Sequence, residues 1–179
     1  MERPHELHSA KLDYLGVSAA IRGFCKEFRE QQEVSVEFTE RNVAKSVSRD
    51  SSLCLFRVSQ EALRNAAKHS GAKRFWVELS GAGNDVRLEV KDLGIGFDVK
   101  VANQVGGVGL MSMQERVRAV NGRFHIESRP GAGTKIIASV PMAAGISADE
   151  AASDAAKNIG DSVSPSNQLA AVARSCEKC

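Results

Sequence analysis

A carboxylate, an amide and a cation recur at helical spacing in the middle of the sequence. Glu61, Asn65 and Lys68 occupy positions i, i+4 and i+7, which would place their side chains along one stripe of an α-helix. The opposite stripe is apolar and would face a core, with Leu55, Val58, Ala62 and Ala66. Considered alone, this pattern is equally typical of a solvated helix face with incidental charges, so the flanking segments must decide its chemistry.

The composition of the 179-residue chain is that of a soluble globular protein, with 42% hydrophobic and 26% charged residues. A formal net charge of +2 is too small to indicate binding to nucleic acid or to an anionic membrane surface. No apolar run approaches the roughly 20 residues of a membrane-spanning helix, and no signal peptide is visible. We therefore expect a cytoplasmic location.

The four cysteines support the same compartment. Cys25 and Cys54 fall within predicted helices and are expected to be small buried hydrophobic residues. Cys176 and Cys179 form a CxxC at the end of a polar tail without a second ligand pair, so a zinc site is not predicted there. This usage of cysteine is typical of a reducing environment.

Helical and strand patterns are mixed along the chain, and the later strands are joined by hairpins. We predict three helices: one over 1–33, one that begins at the N-cap cluster Asp50–Ser52 and ends at about His69, and one over 110–121. A structureless loop is predicted over 97–109. We predict strands over 34–38, 74–80, 86–91, 124–128 and 134–140, with a polar connection over 39–49. This order favours an α+β fold, a two-layer sandwich with helices on one face of a mixed, mainly antiparallel sheet. Residues 143–179 are rich in Ala, Ser, Asp and Asn, and we expect a disordered tail there.

Three short glycine motifs follow the central helix. Glycine permits positive φ and close approach of the backbone to a ligand such as a nucleotide, and N–H groups at a helix start can bind an anion. Taken singly, each motif is typical of an ordinary turn, and none fits the P-loop or the GxGxxG dinucleotide pattern. The motifs are Asp92-Leu-Gly94-Ile-Gly96, Gly107-Val-Gly109-Leu110 and Gly131-Ala-Gly133-Thr134.

As an ordered set, an ExxxN helix followed by DxGxG, GxGL and GxGT resembles the ATP-binding (Bergerat) domain shared by histidine kinases, gyrase, HSP90 and MutL. More narrowly, FRVSQEALRNAAKHSGA, DLGIGFD, GVGLMSMQERVRAVNG and ESRPGAGTKI resemble sensor histidine kinases that pair with LuxR-type response regulators. Residues 5–33 are similar to the second helix of that family's dimerisation and phosphoacceptor hairpin. The resemblance implies three parts: a partial hairpin over 1–33, an ATPase domain over 34–142 and the tail.

The resemblance also implies roles for the central helix. Glu61 matches the carboxylate that acts as, or orients, a general base towards the acceptor histidine. Asn65 matches the amide that coordinates the Mg²⁺ bridging the ATP phosphates, a role suited to a hard oxygen ligand. Lys68 and His69 match residues near the phosphates. Phosphoryl transfer depends mostly on positioning and charge neutralisation, which these groups would supply.

The glycine motifs would surround the rest of the nucleotide. Asp92 matches the acid that accepts a hydrogen bond from the adenine amino group. The other matched residues pass close to the base (Gly94, Gly96), form a mobile lid over ATP (Gly107, Gly109, Leu110), or lie beside base and phosphates (Gly131, Gly133, Thr134).

The phosphoacceptor histidine is where the chain departs from the family. That histidine lies on the first hairpin helix and precedes Asp or Glu. His5-Glu6 has this form but directly follows Pro4, where the second helix would begin, and His8 matches a second-helix position. We expect neither histidine to be the acceptor. We also expect the acceptor helix and any upstream sensor region to be missing from this chain. The chain would then be the cytoplasmic catalytic part of a larger sensor kinase, or a truncated relative of one.

Three functions are compatible with this resemblance. The first is a kinase that transfers the γ-phosphoryl group of Mg·ATP to a histidine on another chain or segment, for a LuxR-type regulator. The second is a non-catalytic module that binds ATP and regulates a partner through its first helix. The third is a serine kinase of the anti-sigma type, against which KHSGA and MQERV count. Because the apolar stripe of the first helix has no hairpin partner, we expect it to pack on another chain and to form a homodimer in the full-length parent.

Overall fold

Helices and strands are mixed along the part of the chain that the computed structural model describes, residues 4–43, 47–105 and 108–142. Gly107, the tail over 143–179 and its CxxC lie outside these ranges. The elements are α1 (Pro4–Gln32), β1 (Ser35–Arg41), α2 (Arg49–His69), β2 (Arg74–Ala82), β3 (Asp85–Asp92), α3 (Val99–Val105), α4 (Val108–Ala119), β4 (Arg123–Ser128) and β5 (Thr134–Pro141).

The five described strands form one sheet in the order β1-β2-β3-β5-β4. β1 pairs with β2 in parallel, and the other neighbours are antiparallel. Alternate residues of each central strand are buried under α2 and α4, as for Val86, Leu88 and Val90 of β3. The predicted α+β sandwich with a mixed, mainly antiparallel sheet is therefore confirmed.

α2 lies across this sheet and matches its predicted course. The apolar stripe that begins with Leu55 and Val58 is buried, and the helix ends at His69 before Gly71 at φ +69°. Its N-cap is Ser48 rather than the predicted cluster at 50–52, since the Ser48 side chain accepts a hydrogen bond from the Ser51 N–H at 3.1 Å. The helix therefore buries one stripe in the core and leaves the stripe of Glu61, Asn65 and Lys68 outside it.

The predicted loop over 97–109 was wrong, because it contains α3 and the start of α4. Asp98 caps α3: its Oδ1 accepts hydrogen bonds from the backbone N–H groups of Lys100 at 2.8 Å and Val101 at 3.4 Å. The predicted connection over 39–49 was also too long, because parallel pairing extends β1 to Arg41 opposite Ser80. Long-range pairing of this kind leaves no periodic signal in a polar segment.

α1 packs on its own domain, so the expectation that its apolar stripe packs on another chain was wrong for residues 17–28. Ile21, Phe24 and Phe28 are buried against α2 and β1, and the Phe24 and Phe56 rings meet edge to face at 6.0 Å. This arrangement follows a break at Gly16, whose φ of 80° and ψ of 171° are not helical.

We expect Gly16→Ala to lower the free energy of unfolding by about 1–3 kcal/mol, because only glycine adopts this conformation without strain. Gly23→Ala is the matched control, since Gly23 lies in the regular part of α1 with nothing near the added Cβ. It should raise stability by about 0.5–1 kcal/mol. Urea unfolding of both variants measures the difference, and equal effects would show that the break at Gly16 does not constrain the fold.

Two cysteines lie in the core of the domain. Cys25 and Cys54 are buried free thiols, as predicted, and burial raises the pKa of Cys25 to about 12 and that of Cys54 to about 11. Both thiols therefore stay protonated and inert at neutral pH.

Within the described ranges, no helix combines the length and apolar character needed to cross a membrane.

Candidate nucleotide-binding site

A cleft of about 620 Å³ opens between α2, the ends of β3 and β5, and the start of α4. The polar side chains of α2 face it from one side, and the glycine motifs border it from the other. Nine residues predicted from the sequence line it: Glu61, Asn65, Lys68, His69, Asp92, Gly96, Gly109, Leu110 and Thr134. The fold therefore brings together residues that are separated by up to 73 positions in the chain.

Glu61 and Asn65 meet the start of α4 inside this cleft. A Cβ atom built on Gly109 would lie 2.6 Å from the Glu61 Oε1 atom and 3.1 Å from the Asn65 Nδ2 atom. Any larger residue at position 109 would displace these two polar groups. The GxGL motif therefore lets the helix start approach the α2 side chains directly.

Asp92 forms the buried polar end of the cleft, with 4% of its surface exposed. Its Oδ1 atom accepts a hydrogen bond from the Gly94 N–H at 2.8 Å. Burial raises the pKa of this carboxyl group, and hydrogen bonds from the backbone N–H groups of Gly94 and Thr134 oppose that rise. A buried acceptor held by two backbone donors is suited to recognise a donor on a ligand.

The other glycines of the first and third motifs pack loop against loop. A Cβ atom on Gly94 would collide with the backbone carbonyl of Ser70, and one on Gly133 would collide with that of Asp92. The Gly131 N–H donates to the Ile95 carbonyl at 2.6 Å. Among the described lining residues, Gly94, Gly131 and Gly133 do not appear, so their effect on the cleft is to hold its walls.

Sequence reasoning missed the apolar walls and two serines. The walls include Val90, Ile95, Phe97, Ala102 and Ile136. The carbonyl of Ser70, at the end of α2, accepts a hydrogen bond from the Ile95 N–H at 2.8 Å. Ser128 bonds to Phe97, directly after the first motif, and to the third motif. An aromatic residue directly after DxGxG could have indicated Phe97, whereas neither serine carries a local signal.

The oxygen atoms in the cleft fit a magnesium ion shared with phosphates. Glu61 and Asn65 lie one helical turn apart and both reach Gly109. Mg²⁺ commonly takes one or two protein oxygens and completes its shell with water and substrate phosphates. In the described part of the chain, no group of three or more His, Cys, Asp or Glu side chains could hold a metal by itself. The donor set therefore suits Mg²⁺ bound together with a nucleotide.

A family model identifies the fold and the motif set. The model described as "Histidine kinase-, DNA gyrase B-, and HSP90-like ATPase" matches residues 50–144, more than half of the chain. The chain belongs to this family. The matched range contains every cleft residue predicted from the sequence, which confirms the predicted resemblance.

Curated relatives within this family are sensor histidine kinases. The kinase/phosphatase DegS of Brevibacillus brevis is 32% identical over 138 residues, 77% of this chain and 36% of the relative. MctS of Rhizobium johnstonii is 33% identical over 78% of this chain and 31% of the relative. The oxygen sensor NreB of Staphylococcus carnosus is 34% identical over 76% of this chain and 40% of the relative. The chain thus spans two fifths or less of the length of each relative.

Solved structures confirm the fold. The histidine kinase domain of a blue-light-activated kinase from Erythrobacter litoralis superposes with a TM-score of 0.58 at 17% identity, over 70% of this chain and 65% of that one. Full-length ShkA, crystallised with AMPPNP, superposes with a TM-score of 0.58 at 16% identity, over 76% of this chain and 34% of that one. At this identity the likeness concerns the α+β architecture only.

Proposed function

We propose that this chain is the ATP-binding catalytic domain of a two-component sensor histidine kinase, which transfers the γ-phosphoryl group of ATP to a histidine supplied by another segment or chain. One observation supports this proposal above the others. The cleft places the carboxylate and amide of α2 against the GxGL motif at one end and a buried carboxylate, Asp92, at the other.

The two ends of the cleft suit the two ends of ATP. Asp92 would accept a hydrogen bond from the adenine amino group, between apolar walls that include Ile95 and Phe97. Lys68 and His69, at the exposed end of α2, would lie near the phosphates. A positive charge at that end would attract the triphosphate and hold it in line for transfer.

The remaining groups would act at the transferred phosphoryl. Asn65 would hold Mg²⁺, which supplies charge neutralisation on the phosphates when bound. Glu61 would accept or orient the proton of the incoming histidine, one helical turn away from Asn65. Gly109 and Leu110 border the cleft and would form part of a lid that excludes water from the phosphates.

The partners follow from the kinase proposal. The domain would act on a phosphoacceptor hairpin, and the phosphoryl group would pass to a response regulator of the LuxR type. In a full-length parent, a homodimer would form through the helix that precedes Gly16, where Leu15 is 65% exposed. The domain would then lie in the cytoplasm.

The decisive experiment supplies a separate acceptor. The purified chain is mixed with Mg²⁺, γ-labelled ATP and a separately produced phosphoacceptor hairpin of a LuxR-partnered sensor kinase. We expect alkali-stable, acid-labile label on the histidine of the hairpin, and none when the hairpin is omitted. ATP binding without transfer, with the hairpin present, would favour the regulatory module instead. Label on serine would favour the anti-sigma-type kinase.

A further inference from the structure

Ser128 joins the loop after the first glycine motif to the third motif, from outside the cleft. It ends β4 directly opposite Thr134, the first residue of β5. Its hydroxyl accepts a hydrogen bond from the Phe97 N–H at 2.9 Å and contacts the Gly133 carbonyl and the Thr134 hydroxyl, each at 3.0 Å. One side chain therefore contacts both the loop after DxGxG and the GxGT turn.

The direction of these hydrogen bonds follows from the number of protons. A serine hydroxyl has one proton and two acceptor sites. The Gly133 carbonyl can only accept, so it takes the Ser128 proton. The Thr134 hydroxyl must then be the donor in its contact with Ser128. Ser128 is thereby fully satisfied, and the only proton of the Thr134 side chain points away from the cleft.

The cleft consequently presents acceptors at the Asp92 end. The Gly94 N–H donates to Asp92, and the Phe97 N–H and the Thr134 hydroxyl both donate to Ser128. With these three donors engaged, the Asp92 carboxylate and the Thr134 oxygen face the cleft as acceptors. Two neighbouring acceptors match an amino group with two protons and repel a carbonyl oxygen.

We propose that Ser128 is a positioning residue for base specificity: it holds Thr134 as an acceptor, so that the cleft admits adenine and rejects guanine. Adenine carries an exocyclic amino group where guanine carries a carbonyl oxygen. The inference rests on the proposed function, because it assumes that the base lies at Asp92. It assigns part of the base selectivity to a residue that does not line the cleft.

The test measures the ratio of the Mg·GTP and Mg·ATP dissociation constants rather than a single affinity. Dissociation constants of Mg·ATP and Mg·GTP are determined by calorimetry for the wild-type chain and for Ser128→Ala. In the variant the Thr134 hydroxyl can rotate and donate to guanine, so the preference for ATP should fall by about tenfold, the value of one hydrogen bond. Ser128→Thr, which keeps the hydroxyl, should restore the preference, and Ser139→Ala on the outer face of β5 should leave it unchanged.

A double-mutant cycle separates positioning from general destabilisation. In a Thr134→Val background, Ser128→Ala should no longer change the ratio, since the oriented hydroxyl is gone. If Ser128→Ala does not fold, Thr134→Val and Thr134→Ser test the same hydroxyl. Only the valine variant should lose the preference for ATP over GTP. Equal weakening of both nucleotides in Ser128→Ala, or an unchanged ratio in Thr134→Val, would overturn the inference alone. A wild-type chain that binds no ATP would overturn the proposed function and this inference with it.

Discussion

Asn65→Ala is expected to weaken Mg²⁺-dependent ATP binding by about 100-fold or more, because even outer-shell changes commonly cost 10–100-fold in metal affinity. The Asn65 amide lies half-buried in the cleft beside Gly109, on the stripe of α2 that faces away from the core. Alanine removes the oxygen without creating a cavity in the core. Calorimetric titration with ATP at saturating Mg²⁺ measures the loss.

Two comparisons make this result specific to the metal. In the presence of EDTA, the wild type and Asn65→Ala should bind ATP with similar, weak affinity. Arg64→Ala is the matched control, since Arg64 is exposed on the same helix and is not among the cleft residues. Tight Mg²⁺-dependent binding by Asn65→Ala would remove Asn65 from the site, and an equal loss in Arg64→Ala would show that the effect arises from α2 as a whole.

The site residues on α2 could be predicted because a helix imposes its spacing locally. The buried stripe from Leu55 to Ala66 and the polar stripe from Glu61 to Lys68 are both explicit in the sequence. Asp92 and the glycines were accessible for another reason. Their order along the chain resembles a family pattern, although no single motif distinguishes a site from a turn.

What could not be predicted depends on contacts between distant segments. The role of Ser128 requires Phe97, Gly133 and Thr134 to meet at one hydroxyl, which depends on the β4–β5 register and on the course of the loop after β3. Packing of α1 on its own domain depends on the break at Gly16, and a lone glycine in a helical pattern does not specify a kink. The resemblance places Gly94 and Gly133 beside the nucleotide, whereas their close neighbours in the structure are the backbone carbonyls of Ser70 and Asp92.

Together these contacts explain how the cleft is assembled between α2, the ends of β3 and β5, and the start of α4. The Ser70 carbonyl at the end of α2 accepts from Ile95, the Ile95 carbonyl accepts from Gly131, and Ser128 bonds to Phe97. The first and third glycine motifs are thus tied to each other and to α2. α4 is joined to this set through the approach of Gly109 to Glu61. A movement of α4 would therefore change the contacts of Glu61 and Asn65 first.

Glu61→Gln is expected to separate nucleotide binding from transfer. The substitution keeps the shape of the side chain beside Gly109 but removes its capacity to accept a proton, so phosphoryl transfer to a supplied acceptor histidine should fall by about 10²–10⁴-fold. ATP affinity should change by less than about threefold, because Asp92, Asn65 and the backbone of the glycine motifs remain in place.

Single-turnover transfer from γ-labelled ATP to the acceptor hairpin, with ATP affinity measured in parallel, distinguishes the possible roles of Glu61. Glu115→Gln is the matched control, because Glu115 is exposed on α4 outside the cleft lining and loses the same charge. Transfer by Glu61→Gln at the wild-type rate would exclude Glu61 as the catalytic carboxylate. A parallel loss of ATP affinity and transfer would instead place Glu61 in nucleotide binding, since an interaction made only in the transition state leaves ground-state affinity intact.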